Sequence, residues 1–228
     1  MYHTTPLLHF AEDRLQVIAL LFMVTVYVLK IRWILHYPAG GDRQAPGKPA
    51  RTNGPAGAKL SLFSIAMPWA MGSTRQHPFL YVQFVIFHLG VAASITMSFL
   101  IPYAPRLISG QAVIRSLQVL FLGAALVGVV RLIRRLADVY LRAISSPDDY
   151  FSLALLIVWL GISVLAAPNS RQVSETPLLA YFFMTAFFLV YVPFSKISHY
   201  IYYPFARWYL GRTLGHRGVY PLRRGSAA

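Results

Sequence analysis

Residues 79–101 read FLYVQFVIFHLGVAASITMSFLI. No Asp, Glu, Lys or Arg interrupts this run, and a helix of its length rises far enough to cross a hydrocarbon core of roughly 30 Å. Lipid offers no water to backbone N–H and C=O groups, so a stretch of this kind satisfies them internally as a spanning helix. One residue is out of character. The imidazole of His88 carries a donor and an acceptor, and leaving them without partners in hydrocarbon costs several kcal/mol.

Four further stretches are long and apolar enough to span: Leu15 to Leu35, Ala112 to Leu132, Tyr150 to Ala167 and Pro177 to Tyr203. The first follows Glu12 and Asp13 in place of a basic region and lacks a small-residue cleavage site, so it reads as a retained helix and not a signal peptide. With 57% of the 228 residues hydrophobic and 12% charged, the composition is that of a membrane protein. The expected fold class is all-α, a polytopic bundle of five transmembrane helices. The expected organisation is a short segment 1–14, a membrane domain 15–210, and a basic tail 211–228.

Lys and Arg set the expected orientation. The segments 30–75, 131–142 and 196–224 together hold 17 of the 21, whereas the opposite side has only Arg14, Arg106, Arg115 and Arg171. Positive charge is retained on the cytoplasmic side, which predicts an outside N-terminus and a cytoplasmic C-terminus. The net charge of +14 therefore reads as topology and not as nucleic-acid binding. Residues 38–59 form a Gly- and Pro-rich loop without apolar period, expected to be flexible or ordered only against a partner. Residues 61–72, SLFSIAMPWAMG, are too short to span and read as an interfacial segment. In SSPDDYF, Ser146 is expected to cap a helix with Pro147 at its first position and Asp148 and Asp149 in its first turn.

The chain has no cysteine, which excludes disulfides, thiolate-held iron–sulfur clusters and covalently attached haem within it. It also shows no phosphate loop and no nucleophile with a neighbouring base, so it is not expected to be a catalyst on its own. Of the seven histidines, His3, His9, His36, His77 and His216 fall in tails, loops or helix ends. His88 and His199 remain. His88 lies eight residues beyond Leu80, and His199 eight residues before Arg207, which places both roughly 12 Å inside the same face if the fifth span runs to Tyr203. Two level imidazoles on antiparallel helices can hold one haem b from opposite sides, while structural hydrogen bonding is the alternative. Gly90, Gly123 and Gly128 suit either close approach to a macrocycle or plain helix packing. Pro193 is expected to bend the fifth span, and Lys196 to snorkel to the interface or pair with a haem propionate.

The stretches IFHLG (86–90), RLIRRL (131–136), LRAISSPDDYFSLALLI (141–157) and above all PFSKISH (193–199) resemble the gamma-subunit family of respiratory nitrate reductases. That family includes the related membrane cytochromes of heterodisulfide-reductase-like and dissimilatory sulfite-reduction complexes. The resemblance implies a subunit of the cytoplasmic membrane that carries electrons between the quinone pool and an iron–sulfur subunit docked on the cytoplasmic face. It also implies that His88 and His199 are the axial iron ligands of the inner haem b. The family's outer haem has no counterpart here, since its ligand positions fall on Ser98 and Tyr181, so a single haem is expected. Arg115 falls near the place where a basic residue assists quinol binding in the nitrate reductase branch. The rival expectation is a haem-free anchor that recruits a redox enzyme through its basic loops. A transporter is disfavoured by the lack of a paired intramembrane acid or an inverted repeat.

Overall fold

The computed structural model describes residues 4–38, 40–41, 43–46 and 52–219. Residues 1–3 with His3, positions 39, 42 and 47–51 of the long loop, and the tail from 220 onward lie outside the described residues. All regular structure among the described residues is helical. Among the described residues nine α-helices follow in order, with short 3-10 turns between some of them. They are α1 (Pro6–His36), α2 (Gly54–Phe63), α3 (Gly72–Gln76), α4 (Pro78–Tyr103), α5 (Gln111–Ala137), α6 (Val139–Ala143), α7 (Pro147–Ala166), α8 (Thr176–Tyr191) and α9 (His199–His216).

Five of them, α1, α4, α5, α7 and α8 with its 3-10 extension to Phe194, are long and apolar enough to cross a membrane. The chain divides into two compact units, residues 1–30 with 82–197, and residues 31–81 with 198–228.

The first unit is a helix bundle around an aromatic core. Tyr181 is fully buried, its ring stacked parallel to that of Trp159 at 6.3 Å. Each polar atom in that core has a partner. The Tyr181 hydroxyl donates to the Ser94 carbonyl, the Ser94 and Ser163 hydroxyls pair at 2.7 Å, and Trp159 donates through Nε1 to Thr185 at 3.0 Å. In a lipid environment these bonds join α4, α7 and α8 where apolar contact alone distinguishes poorly between helix and lipid. Glycines serve the same packing. A Cβ added to Gly90 would run into Ala124, and one added to Gly128 would lie 2.7 Å from Ile157. These two glycines therefore serve close helix packing, while Gly123 has only ordinary contact distance to Ile86.

The start of α7 is as the sequence predicts. Ser146 caps it, Pro147 occupies the first turn, and the Asp149 carboxylate accepts from the Ser146 backbone N–H at 2.8 Å and from its hydroxyl at 2.9 Å.

Two expectations are corrected. The fifth span does not run on to Tyr203. It ends at Phe194, Ser195 adopts extended backbone with φ −99° and ψ 170°, and a new helix starts at His199. Pro193 is the physical cause, because it has no N–H to continue the ladder and its ring crowds the preceding turn. The loop 38–59 is also not irregular throughout, since its last six residues open α2. Asn53 caps that helix by accepting from the Ala56 N–H at 2.9 Å.

In the second unit α2 packs along α9 with backbones nearly touching. A Cβ on Gly57 would lie 3.0 Å from the Gly215 Cα, and one on Gly211 would lie 2.8 Å from the Ala58 Cα. Arg207 closes this pair by donating to the Ser61 carbonyl at 3.1 Å and the Ser64 hydroxyl at 2.9 Å. The interfacial segment 61–72 forms the end of α2, two 3-10 turns and the start of α3.

Candidate functional site

His88 projects from the middle of α4 and is half-buried. Its Nδ1 lies 2.8 Å from the Phe84 carbonyl one turn earlier. A carbonyl only accepts, so Nδ1 donates to it, and in the neutral ring the lone pair falls on Nε2. Metal-ligating histidines are commonly oriented by such a bond from one ring nitrogen to backbone. Phe84 also lies against the ring, with centroids 4.1 Å apart, and Phe87 meets it edge-on at 5.9 Å.

His199 is the first residue of α9, five residues beyond the end of the fifth span at Phe194, and it is exposed. The expectation that it lies inside the span, eight residues short of the membrane edge, therefore loses its premise. The residue stands where the chain re-enters helix after the break.

The segment between the two helices is held by a cluster of charged and hydroxyl groups. The Asp148 carboxylate accepts from the Lys196 backbone N–H at 2.8 Å, from Ser152 at 3.2 Å, and from the Tyr191 hydroxyl. Asp149 takes the Lys196 ammonium at 2.6 Å, and Arg135 reaches within 3.7 Å of the same carboxylate while bonding Ser145 at 2.6 Å. On α1, Lys30 donates its Nζ to the Pro193 carbonyl and lies over the Phe194 ring at 5.2 Å. A helix break frees carbonyls that must find other donors, and Lys30 is one. Three of the segments that carry the family resemblance, RLIRRL, LRAISSPDDYF and PFSKISH, thus meet in one place. Lys196 pairs with Asp149, a partner that the sequence reading did not name.

These contacts differ in worth. Lys196 is 55% exposed, and exposed ion pairs contribute little. Asp148 accepts from three donors, one of them a backbone N–H. Lys196→Met is expected to cost under about 1 kcal/mol and Asp148→Asn about 2 kcal/mol, the order being read from thermal melts in detergent. Equal effects would show that the ammonium, and not the backbone contact, holds the break.

The opposite end of this unit contains a cavity of about 830 Å³ bordered by Ile101, Pro102, Arg106, Pro168, Glu12 and Arg171. Arg171 clamps Glu12 through two nitrogens at 3.0 and 2.7 Å and also reaches Asn169 at 3.1 Å. Arg115 is exposed and does not border the cavity, whereas Arg106 and Arg171 do. Ser98 bonds the Ile95 carbonyl at 2.7 Å within its own helix, and Tyr181 is committed to Ser94.

Nearby, Glu175 accepts from the Thr5 backbone N–H at 3.0 Å and from its hydroxyl. These hydrogen bonds hold its carboxyl below the ordinary value. Because the folded value is the lower one, the contact stabilises at neutral pH and weakens as pH falls through it. The protection factor of the Thr5 amide, its exchange rate referred to the intrinsic rate at each pH, is expected to fall on acidification in the wild type. Glu175→Gln should flatten that pH dependence.

Fold and site define a class, a polytopic helical membrane protein with five candidate spans and polar groups paired inside its bundle. No protein-family model matches the chain, and no solved structure matches it. The chain is 29% identical over 222 residues to a protein of Nitratidesulfovibrio vulgaris, with 91% of this chain and 88% of that protein covered. The description of that relative, "Protein", names no activity.

Proposed function

We propose that this chain is a membrane cytochrome b subunit of the cytoplasmic membrane, similar to the gamma subunits of respiratory nitrate reductases. It carries electrons between the quinone pool and an iron–sulfur partner on the cytoplasmic face, with its N-terminus outside. His88 and His199 would hold one haem b, whose iron supplies one-electron storage when bound. The observation that carries this reading is the His88 ring, whose Nδ1 is held on the Phe84 carbonyl, an anchoring that suits a ring ligating through Nε2. Phe84 and Phe87 add aromatic surface beside it.

Two further features support the reading. Residues at the family's outer haem positions, Ser98 and Tyr181, are taken up by core hydrogen bonds, in keeping with a single haem. The 830 Å³ cavity at the far end of the bundle has the size of a small-molecule site. A reduced-minus-oxidised spectrum and a pyridine haemochrome assay on the purified full chain test the proposal. One b haem per chain is expected, and a folded preparation without a b-type signal refutes it.

A second reading, a haem-free anchor, is favoured by the fifth span ending before His199 and by the engagement of Lys196 with Asp149. Full quinone-coupled activity of the assembled complex after replacement of both His88 and His199 would select it.

A further inference from the structure

We propose that the second unit binds an anionic phospholipid in the groove between the end of α1 and α9, with Arg212 facing the headgroup phosphate. The groove, about 1160 Å³, is bordered by Trp33, Tyr37, Trp208 and Tyr209, with Leu62 among its apolar walls and Arg212 as its basic member. Tyr209 donates to the Gly40 carbonyl at 3.0 Å, and Trp33 meets Tyr37 edge-on at 5.3 Å, so the aromatic wall is itself ordered.

Three observations point to this occupant. The groove borders the end of a helix long and apolar enough to span, the depth at which Trp and Tyr sit among lipid headgroups. Its lining combines apolar and aromatic surface with a guanidinium, which matches acyl chains joined to a phosphate. The charge of the unit is also one-sided. Among its described residues it holds seven Lys and Arg and no Asp or Glu. Basic residues at that depth attract anionic lipid at about 1 kcal/mol each.

The test uses the full chain reconstituted into phosphatidylcholine vesicles containing, as a minor component, brominated phosphatidylglycerol or brominated phosphatidylcholine at equal mole fraction. Quenching of tryptophan fluorescence is the readout. Brominated phosphatidylglycerol is expected to quench more, and Arg212→Gln should weaken that excess about fivefold in apparent association, with Arg212→Lys retaining it. Arg75→Gln removes an exposed charge of the same unit outside the groove and should leave the excess intact. Replacing both Trp33 and Trp208 by Phe should abolish it, leaving Trp69 and Trp159 as reporters.

Equal quenching by the two lipids overturns the proposal. So does an equal loss in Arg75→Gln and Arg212→Gln, which marks diffuse attraction, or an excess that survives without Trp33 and Trp208. Quenching that follows protein density and not lipid charge identifies a second copy of the chain in the groove and also overturns it.

Discussion

His88→Ala is expected to eliminate the b-type absorbance of the purified chain, with the pyridine haemochrome falling to background. Its ring would supply one of only two axial ligands. The backbone contact from Nδ1 to the Phe84 carbonyl orients that ring. His199→Ala should give the same loss, because a haem left with one protein ligand is held far less tightly and reads as five-coordinate. A variant that keeps a low-spin signal in either case breaks the pairing. Phe84→Leu is the companion substitution. It retains the carbonyl and removes only the ring packed at 4.1 Å, so the haem should stay while its absorbance maximum or midpoint potential shifts.

Arg171→Met is expected to be the most damaging substitution for stability, by about 3 kcal/mol. The Arg171 and Glu12 side chains are only 16% and 10% exposed, and removing the arginine leaves the carboxylate desolvated without its two charge-assisted hydrogen bonds. In a chain of this size that loss lowers the melting temperature by about 6–12 °C. Glu12→Gln should cost less, since Arg171 keeps its bond to Asn169. The double variant Glu12→Gln with Arg171→Gln should recover most of the loss, because a neutral pair avoids the uncompensated charge. Melts that fall equally in the single and double variants would show that the ion pair is not the reason.

Much of the fold was legible before any coordinates. Five spans follow from run length and hydropathy, and the start of α7 follows from Ser146, Pro147 and Asp149 in order. The fifth span shows where such reading stops. IYYPFARW is apolar enough to extend the membrane segment on paper, yet Pro193 and the extended Ser195 interrupt the ladder and begin a separate helix. The opening of α2 was missed for a different reason. Asn53 followed by Gly54 and Pro55 carries a cap signal, but the helix lacks an apolar stripe, and its packing on α9 rests on glycines whose backbones touch.

The candidate site was partly legible. That His88 needs a partner followed from its apolar surroundings, and the answer is local, a carbonyl one turn away. Asp148, Asp149 and Lys196 were each noticed, but not as one cluster.

The sequence by itself determined how many helices can cross a membrane, where α7 begins and which polar residue stands exposed to question inside an apolar run. These depend on neighbours within a few turns, where helix periodicity and capping chemistry act. Only the tertiary structure decided the partners of the remaining polar groups. Lys196 finds Asp149 47 residues away, Tyr181 finds Ser94 across 87, and Arg171 finds Glu12 across 159. Hydropathy scores a face against lipid and a face against protein alike, so pairing of this range appears only once the helices are packed.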